Sequence, residues 1–197
     1  MSKESLNLEE TRPSLAQLEA ELSRERYRSR YSKVLRSTIY ALIVVAAVAV
    51  LVATLWMPVL QIHGASMTPA LEDGQIVLSV KDPTPECGDI VAFYYNNKVL
   101  VKRVIGTEGD WVTIEKNGDV IVNGQVLDEP YLTEKAYGEV SIDLPYQVQE
   151  KSLFVLGDHR SVSVDSRNQA VGSIAEDQVV GKIVFCVWPL KAFGPIN

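Results

Sequence analysis

The segment Val99-Leu100-Val101-Lys102-Arg103-Val104-Ile105 reads as a β-strand, because β-branched residues dominate it. A strand alternates its side chains, which puts Leu100, Lys102 and Val104 on one face and Val99, Val101, Arg103 and Ile105 on the other. An ammonium between apolar neighbours is penalised by desolvation, so its pKa falls below the ordinary ~10.4 and a neutral amine, a competent general base, becomes available near neutral pH. The plainer alternative is a lysine whose stem covers apolar surface while its head reaches water. A base needs a nucleophile to activate, and Ser66 is the candidate. It lies in Gly64-Ala65-Ser66-Met67-Thr68-Pro69, an irregular turn of small residues closed by proline, where a substrate backbone can approach closely. Its hydroxyl is inert until a neighbouring base takes the proton.

A second concentration of reactive groups is Gly157-Asp158-His159-Arg160-Ser161-Val162-Ser163-Val164-Asp165-Ser166-Arg167, with two carboxylates, two guanidiniums and three hydroxyls in eleven residues. Such density suits a solvated loop, a metal site or a buried polar network. Asp158, His159 and Asp165 follow no metal-ligand spacing, so no metal and no other cofactor is expected. His159 also offers a rival catalytic set, Ser66 with His159 and Asp158 or Asp165. The other histidine, His63, reads as a solvated loop residue.

Four segments, 64–71, 88–93, 102–110 and 157–167, occur in this order behind one N-terminal apolar run. Together they resemble the four conserved boxes of the bacterial type I (leader) signal peptidases, a serine-lysine peptidase family. The resemblance covers the apolar run and most of residues 60–188. It implies that Ser66 is the nucleophile and Lys102 the base. It further implies that Ser163 hydrogen-bonds the lysine amine and that Asp165 and Arg167 pair to fix their loop, with Asp158 and Arg160 as scaffold. Pockets for small side chains at the first and third residues before the cut are implied too, lined by Ile62, Met67, Leu71, Leu100 and Val101. The Ser66 backbone N–H is the expected oxyanion donor. Three positions depart from the family pattern: Gly64, where some members place a second oxyanion-hole serine; Ala70, where threonine is common; and His159, where asparagine is usual.

The elements that must hold these groups are readable from patterning. Ile39 to Leu60 is a run of 22 residues without a charge, about 33 Å as a helix against a ~30 Å hydrocarbon core. It is too long, and begins too late, for a cleaved leader. Before it stand Arg24, Arg26, Arg28, Arg30, Lys33 and Arg36 against Glu25 alone. By the positive-inside rule, residues 1–36 are cytoplasmic, 37–60 span the membrane once, and 61–197 are extracytoplasmic. Tyr27 and Tyr31 among the arginines admit an RNA-binding reading, which the abutting span makes the weaker explanation. Ser14 is a candidate cap for a short helix carrying Leu15, Leu18 and Leu22. Because Ser66 stands six residues past Leu60, at ~3.3 to 3.6 Å per residue it lies within about 20 Å of the end of the run.

Beyond Leu60 the period drops to two. Strands are expected at 76–80, 89–95, 99–105, 111–115, 120–122, 153–156 and 182–188, with turns at Asn96-Asn97, Asn117-Gly118 and Asn123-Gly124. The fold class is therefore mainly β: a single N-terminal transmembrane helix, then an antiparallel, barrel-like catalytic domain. Cys87 and Cys186 are too few for a disulfide framework; one bridge or two small apolar residues are the alternatives. A net charge of -6, from 19 basic and 25 acidic residues in 197, argues against nucleic acid as partner. Residues 1–56 carry +2 and residues 57–197 carry -8, which suggests two environments. The expected partners are secretory preproteins, the lipid bilayer and the export machinery. A soluble serine-lysine autoprotease would need a DNA-binding domain that residues 1–36 cannot supply. An anchored β-domain that only binds a partner leaves Ser66, Lys102 and 157–167 unexplained.

Overall fold

The structure is a computed structural model and describes residues 14–81 and 84–196. The first thirteen residues of the expected cytoplasmic segment lie outside the described residues. The chain divides into two compact units that meet between Val52 and Ala53, and each is taken by itself.

The first unit is built on one continuous helix, α1 (Leu15–Trp56), of 42 residues. Ser14 caps it: its hydroxyl accepts from the Gln17 N–H at 3.3 Å, and the Gln17 side chain accepts from the Ser14 N–H at 3.0 Å, a reciprocal capping box. The short helix expected near Ser14 and the apolar run are thus one element. Among the described residues, α1 is the one helix long and apolar enough to cross a membrane by length and composition. It stops earlier than Leu60. Pro58 has no N–H for the helix ladder, and Val59–Gln61 pair with Ile76–Leu78 as a strand instead. The charge-free stretch within the helix, residues 37–56, still measures about 30 Å at ~1.5 Å per residue.

The second unit carries two antiparallel sheets. The larger contains β1 (Val59–Gln61), β2 (Ile76–Val80), β3 (Ile90–Tyr95), β4 (Lys98–Gly106), β9 (Ser152–Leu156), β10 (Ile174–Ala175), β11 (Val179–Trp188) and β12 (Gly194–Pro195). Its order is β1-β2-β11-β3-β4-β9-β10, with β12 on β11. The smaller sheet is formed by β5 (Trp111–Ile114), β6 (Val120–Val122), β7 (Gln125–Val126) and β8 (Tyr146–Gln147), in the order β7-β6-β5-β8. All seven expected strands form, within three residues at each end. Asn96 and Asn97, with φ of 44° and 62°, make the left-handed two-residue turn that closes β3 onto β4. The strands β1, β7, β8, β10 and β12, of two or three residues each, lie outside the expected set; unlike the all-β-branched β6, they carry no β-branched run to mark them.

Three apolar clusters form the core, and β4 supplies all of them. Val101 packs against Ile62, Met67, Leu71, Val77, Ile90, Ala92 and Ile183. Val104, with Leu100 against it, joins Val91, Phe93, Leu153, Val155 and Ile174. Ile105 joins Val112, Ile114, Val120, Val148, Phe154 and Leu156. Burial of each such side chain is worth about 1.5 to 3 kcal/mol. A lysine in the middle of this strand therefore has almost no water to reach.

Candidate active site

Lys102 lies on β4 opposite Val91 of β3 and is 3% exposed. Ser66 lies in the loop after β1, half-buried, and Lys102 Nζ donates to Ser66 Oγ at 2.6 Å. Burial brings the lysine pKa down from 10.5 to about 8; Asp165 and Asp158 pull it back up, and Arg167 adds a smaller push down. Desolvation wins because neither carboxylate is an ion-pair partner of the amine: Asp165 is paired with Arg167 and Asp158 with Arg103. The chemical consequence is a serine hydroxyl in contact with an amine that is half neutral near pH 8.

The Ser66 loop is pinned from several sides. Met67 and Leu71 are buried in the core beneath it. The Gly64 N–H donates to Asp73 Oδ1 at 2.7 Å, holding Gly64 at φ 87°, where a Cβ would be strained. Thr68 Oγ1 donates to the Ala65 carbonyl at 2.9 Å. The His159 N–H donates to the Ser66 carbonyl at 3.1 Å. The His159 ring meets Thr68 Oγ1 at 3.1 Å and the Ala65 carbonyl at 3.3 Å through Nδ1, so the imidazole is engaged with the loop and not with the Ser66 hydroxyl. His63 is exposed. Among the described residues no group of three or more His, Cys, Asp or Glu side chains is placed to hold a metal.

The 157–167 loop is a buried polar network. Arg103 binds Asp158 through Nε at 2.9 Å and Nη2 at 2.8 Å. Arg160 is paired in the same two-pronged way with Glu129. Arg167 holds Asp165 through Nε and Nη2, both at 2.8 Å, and also donates to the Tyr137 and Arg160 carbonyls. Asp165 in turn accepts from the Gly157 N–H at 3.0 Å. Gly157 is the point of closest approach: a Cβ there would come within 2.2 Å of Ser163 Oγ and 2.5 Å of the Ser66 carbonyl.

One expected contact is absent. Ser163 is buried in the loop, but its hydroxyl has no hydrogen-bond partner among the described residues, and the amine of Lys102 donates to Ser66 instead. A groove of about 100 Å³ opens beside Ser66 and Lys102, lined by Leu60–Gly64, Met67 and Val99–Val101. Ile62, Met67, Leu100 and Val101 are among its walls. Leu71 is not; it is fully buried in the core below. The two cysteines are free, Cys87 exposed and Cys186 buried, so no bridge forms and only Cys186 matches the reading as a buried apolar residue.

The sequence reading missed Arg103 and Glu129, the two partners that neutralise Asp158 and Arg160. Alternation put Arg103 on the face away from Lys102, and its apolar company there, Val99, Val101 and Ile105, was the signal that this face is buried as well. Glu129 lies in Asp128-Glu129-Pro130-Tyr131, a segment without periodicity. Its one local signal was a charged residue beside proline and tyrosine, and Tyr131 does donate to Glu129 at 2.9 Å while its ring lies 4.0 Å under the Arg103 guanidinium.

A family model described as signal peptidase, peptidase S26, matches residues 35–188. The chain is 41% identical to Signal peptidase IB of Staphylococcus aureus (strain Mu50), over 67% of this chain and 78% of that one. It is 34% identical to thylakoidal processing peptidase 1, chloroplastic, of Arabidopsis thaliana, over 65% of this chain and 41% of that one. Among solved structures, a signal peptidase I of Enterococcus faecalis V583 is similar at 30% identity and a TM-score of 0.44, covering 50% of this chain and 96% of the other. The chain belongs to the signal peptidase family, peptidase S26, and is a peptidase.

Proposed function

We propose that this protein is a membrane-anchored serine endopeptidase that removes N-terminal signal peptides from secretory preproteins, with Ser66 as nucleophile and Lys102 as general base. The observation that carries the reading is the 2.6 Å contact between Ser66 Oγ and the buried Lys102 amine. Once the amine is neutral the bond reverses: the hydroxyl donates to the nitrogen lone pair, and Ser66 Oγ attacks the scissile carbonyl as its proton passes to Lys102. The tetrahedral oxyanion is stabilised by the Ser66 N–H, which has no acceptor within the described chain. The Gly64 N–H is occupied by Asp73 and does not serve as the second donor. Collapse of the intermediate breaks the C–N bond, and the lysine ammonium returns its proton to the departing amine. Water, deprotonated by Lys102, then attacks the acyl-serine ester, and the lysine ammonium returns that proton to the departing Ser66 Oγ, restoring the hydroxyl and the neutral amine.

The volume of the groove, about 100 Å³, suits small side chains on the acyl side of the cut, since liquid water fills ~30 Å³ per molecule. Ile62, Met67, Leu100 and Val101 form its apolar lining. Ser163, Asp165 and Arg167 hold the loop that backs Ser66, with Ser163 packed close to Gly157 there. Residues 1–36 are cytoplasmic, α1 crosses the membrane through its charge-free stretch, and the β unit is extracytoplasmic, with the basic cluster Arg24–Arg36 supporting this orientation. Ser66 follows Trp56 by ten residues, at most about 36 Å of extended chain, which keeps the site near the bilayer where leader peptides are tethered.

The test is cleavage of a secretory preprotein by the purified full chain in detergent. Release of the mature protein, lost in Ser66→Ala and in Lys102→Ala with the fold intact by circular dichroism, is the expected result. Undiminished cleavage by either variant would overturn the assignment. Protease added to sealed right-side-out vesicles is expected to digest the β unit and spare an N-terminal tag.

A further inference from the structure

A second cavity, of about 230 Å³, adjoins the Ser66 loop and shares no wall residue with the groove that contains Lys102. Its walls include Thr68, Thr133, Glu134, Asp158, His159 and Ser161. The two spaces flank one short loop: Gly64, Ser66 and Met67 face the groove, whereas Thr68 and Pro69 face the cavity. The wall between them is tied together, because the His159 N–H holds the Ser66 carbonyl and the His159 ring meets Thr68 Oγ1. A peptide laid across Ser66 Oγ must leave space on both sides of the nucleophile. The groove beside Lys102 fits the acyl side, and the cavity lies across the Ser66 loop from it.

The charges of the cavity do not cancel. Asp158 is neutralised by Arg103, and the nearby cations are committed elsewhere, Arg160 to Glu129 and Lys135 to Asp119. Glu134 is exposed and has no ion-pair partner among the described residues. Hydroxyls of Thr68, Thr133 and Ser161 supply neutral donors and acceptors around it. Resting on the peptidase reading above, we propose that this cavity is the leaving-side subsite. It receives the first residues of the mature chain, and Glu134 makes it prefer a cationic over an anionic side chain there. Cleavage exposes a new amine on the same segment, which becomes an ammonium, and the carboxylate suits that charge too.

The experiment compares two peptides with one common acyl side ending in Ala-Gln-Ala and either Lys or Glu at the second residue after the cut. Both are cleaved by the purified full chain in detergent at low salt. The Lys peptide is expected to have a kcat/KM about fivefold above that of the Glu peptide, the scale of one solvent-accessible ion pair. In Glu134→Gln the ratio should fall to within about twofold, in Glu134→Lys it should invert, and in the control Glu150→Gln it should persist. Added salt should shrink the wild-type ratio. An unchanged ratio in Glu134→Gln and Glu134→Lys, with both variants active, overturns the subsite. Absence of cleavage of either peptide by wild type, or cleavage that survives Ser66→Ala, overturns the peptidase assignment instead, so the two failures are distinguishable.

Discussion

Lys102 and Arg103 are consecutive residues of β4, 3% and 2% exposed, and their surroundings differ completely. The Arg103 side is saturated: two bonds to Asp158, one to the Gly88 carbonyl at 2.8 Å, and the Tyr131 ring against the guanidinium. The Lys102 side offers one serine hydroxyl. Both regions bury a cation at similar depth, so depth alone does not set the outcome; the partners do. A guanidinium with a matched carboxylate stays charged and serves as a fastener. An ammonium without one is pushed toward its neutral form and becomes a base.

The difference breaks most sharply in activity. Lys102→Arg keeps the charge and roughly the length but cannot lose a proton at working pH, and kcat/KM is expected to fall on the order of 10⁴-fold or more. The double variant Ser66→Ala/Lys102→Ala should be no worse than either single variant, because the two act as one unit. Losses that multiply in the double variant, measured on a preprotein substrate, would show that they act independently.

On the Arg103 side the expected loss is in stability. Asp158→Ala strands a buried guanidinium and should cost about 3 to 5 kcal/mol, read as a lowered midpoint in urea unfolding. Glu129→Ala, which strands Arg160, belongs to the same class. A midpoint within error of wild type for both would mean that these pairs are not the fasteners described.

The Lys102 side should respond in the opposite sense. With a folded-state pKa of about 8 against 10.5, the unfolded chain holds the proton more tightly, so wild-type stability rises as pH climbs from about 8 to 10.5 and is depressed below that window. Lys102→Met removes the burden. It should be inactive yet more stable at pH 7, by up to about 3 kcal/mol at ~1.36 kcal/mol per pH unit, and the advantage should vanish above pH 10.5. A destabilised Lys102→Met protein at pH 7 would mean that the amine is not under strain from burial.

The smallest effect sharpens the cause. The acidic limb of kcat/KM should have its midpoint at about 8, with activity lost as pH falls through it. Val104→Thr admits polarity beside the strand and should move the limb up by about one pH unit at most. A limb near ~6.5 that disappears in His159→Ala would assign the base to histidine instead.

Much of this was legible in the chain. Alternation marked β2, β3, β4 and β11, and the uncharged stretch from Ile39 to Leu60 marked the helix but not its end at Trp56, because periodicity and the absence of charge are local patterns. Leu100 and Val104 were readable as same-face neighbours of Lys102, since neighbours on a strand face are two residues away. The clustering of Asp158, Arg160, Asp165 and Arg167 was compatible with a solvated loop, a metal site or a buried polar network, and the fold makes it the last. The partners in that network were not readable, because Arg103 and Glu129 come from 55 and 31 residues earlier in the chain than the groups they bind, and nothing local specifies such a distance.

Sequence alone determined which residue types are at hand and which segments become strands, since both follow from side-chain chemistry and short-range periodicity. Tertiary structure decided which charges were matched. It gave Arg103 a carboxylate and left Lys102 with a hydroxyl, set Leu71 beneath the groove instead of in its wall, and left the Ser163 hydroxyl without a partner among the described residues. Pairing and desolvation are properties of an enclosed volume, and a volume exists only once distant strands have closed around it.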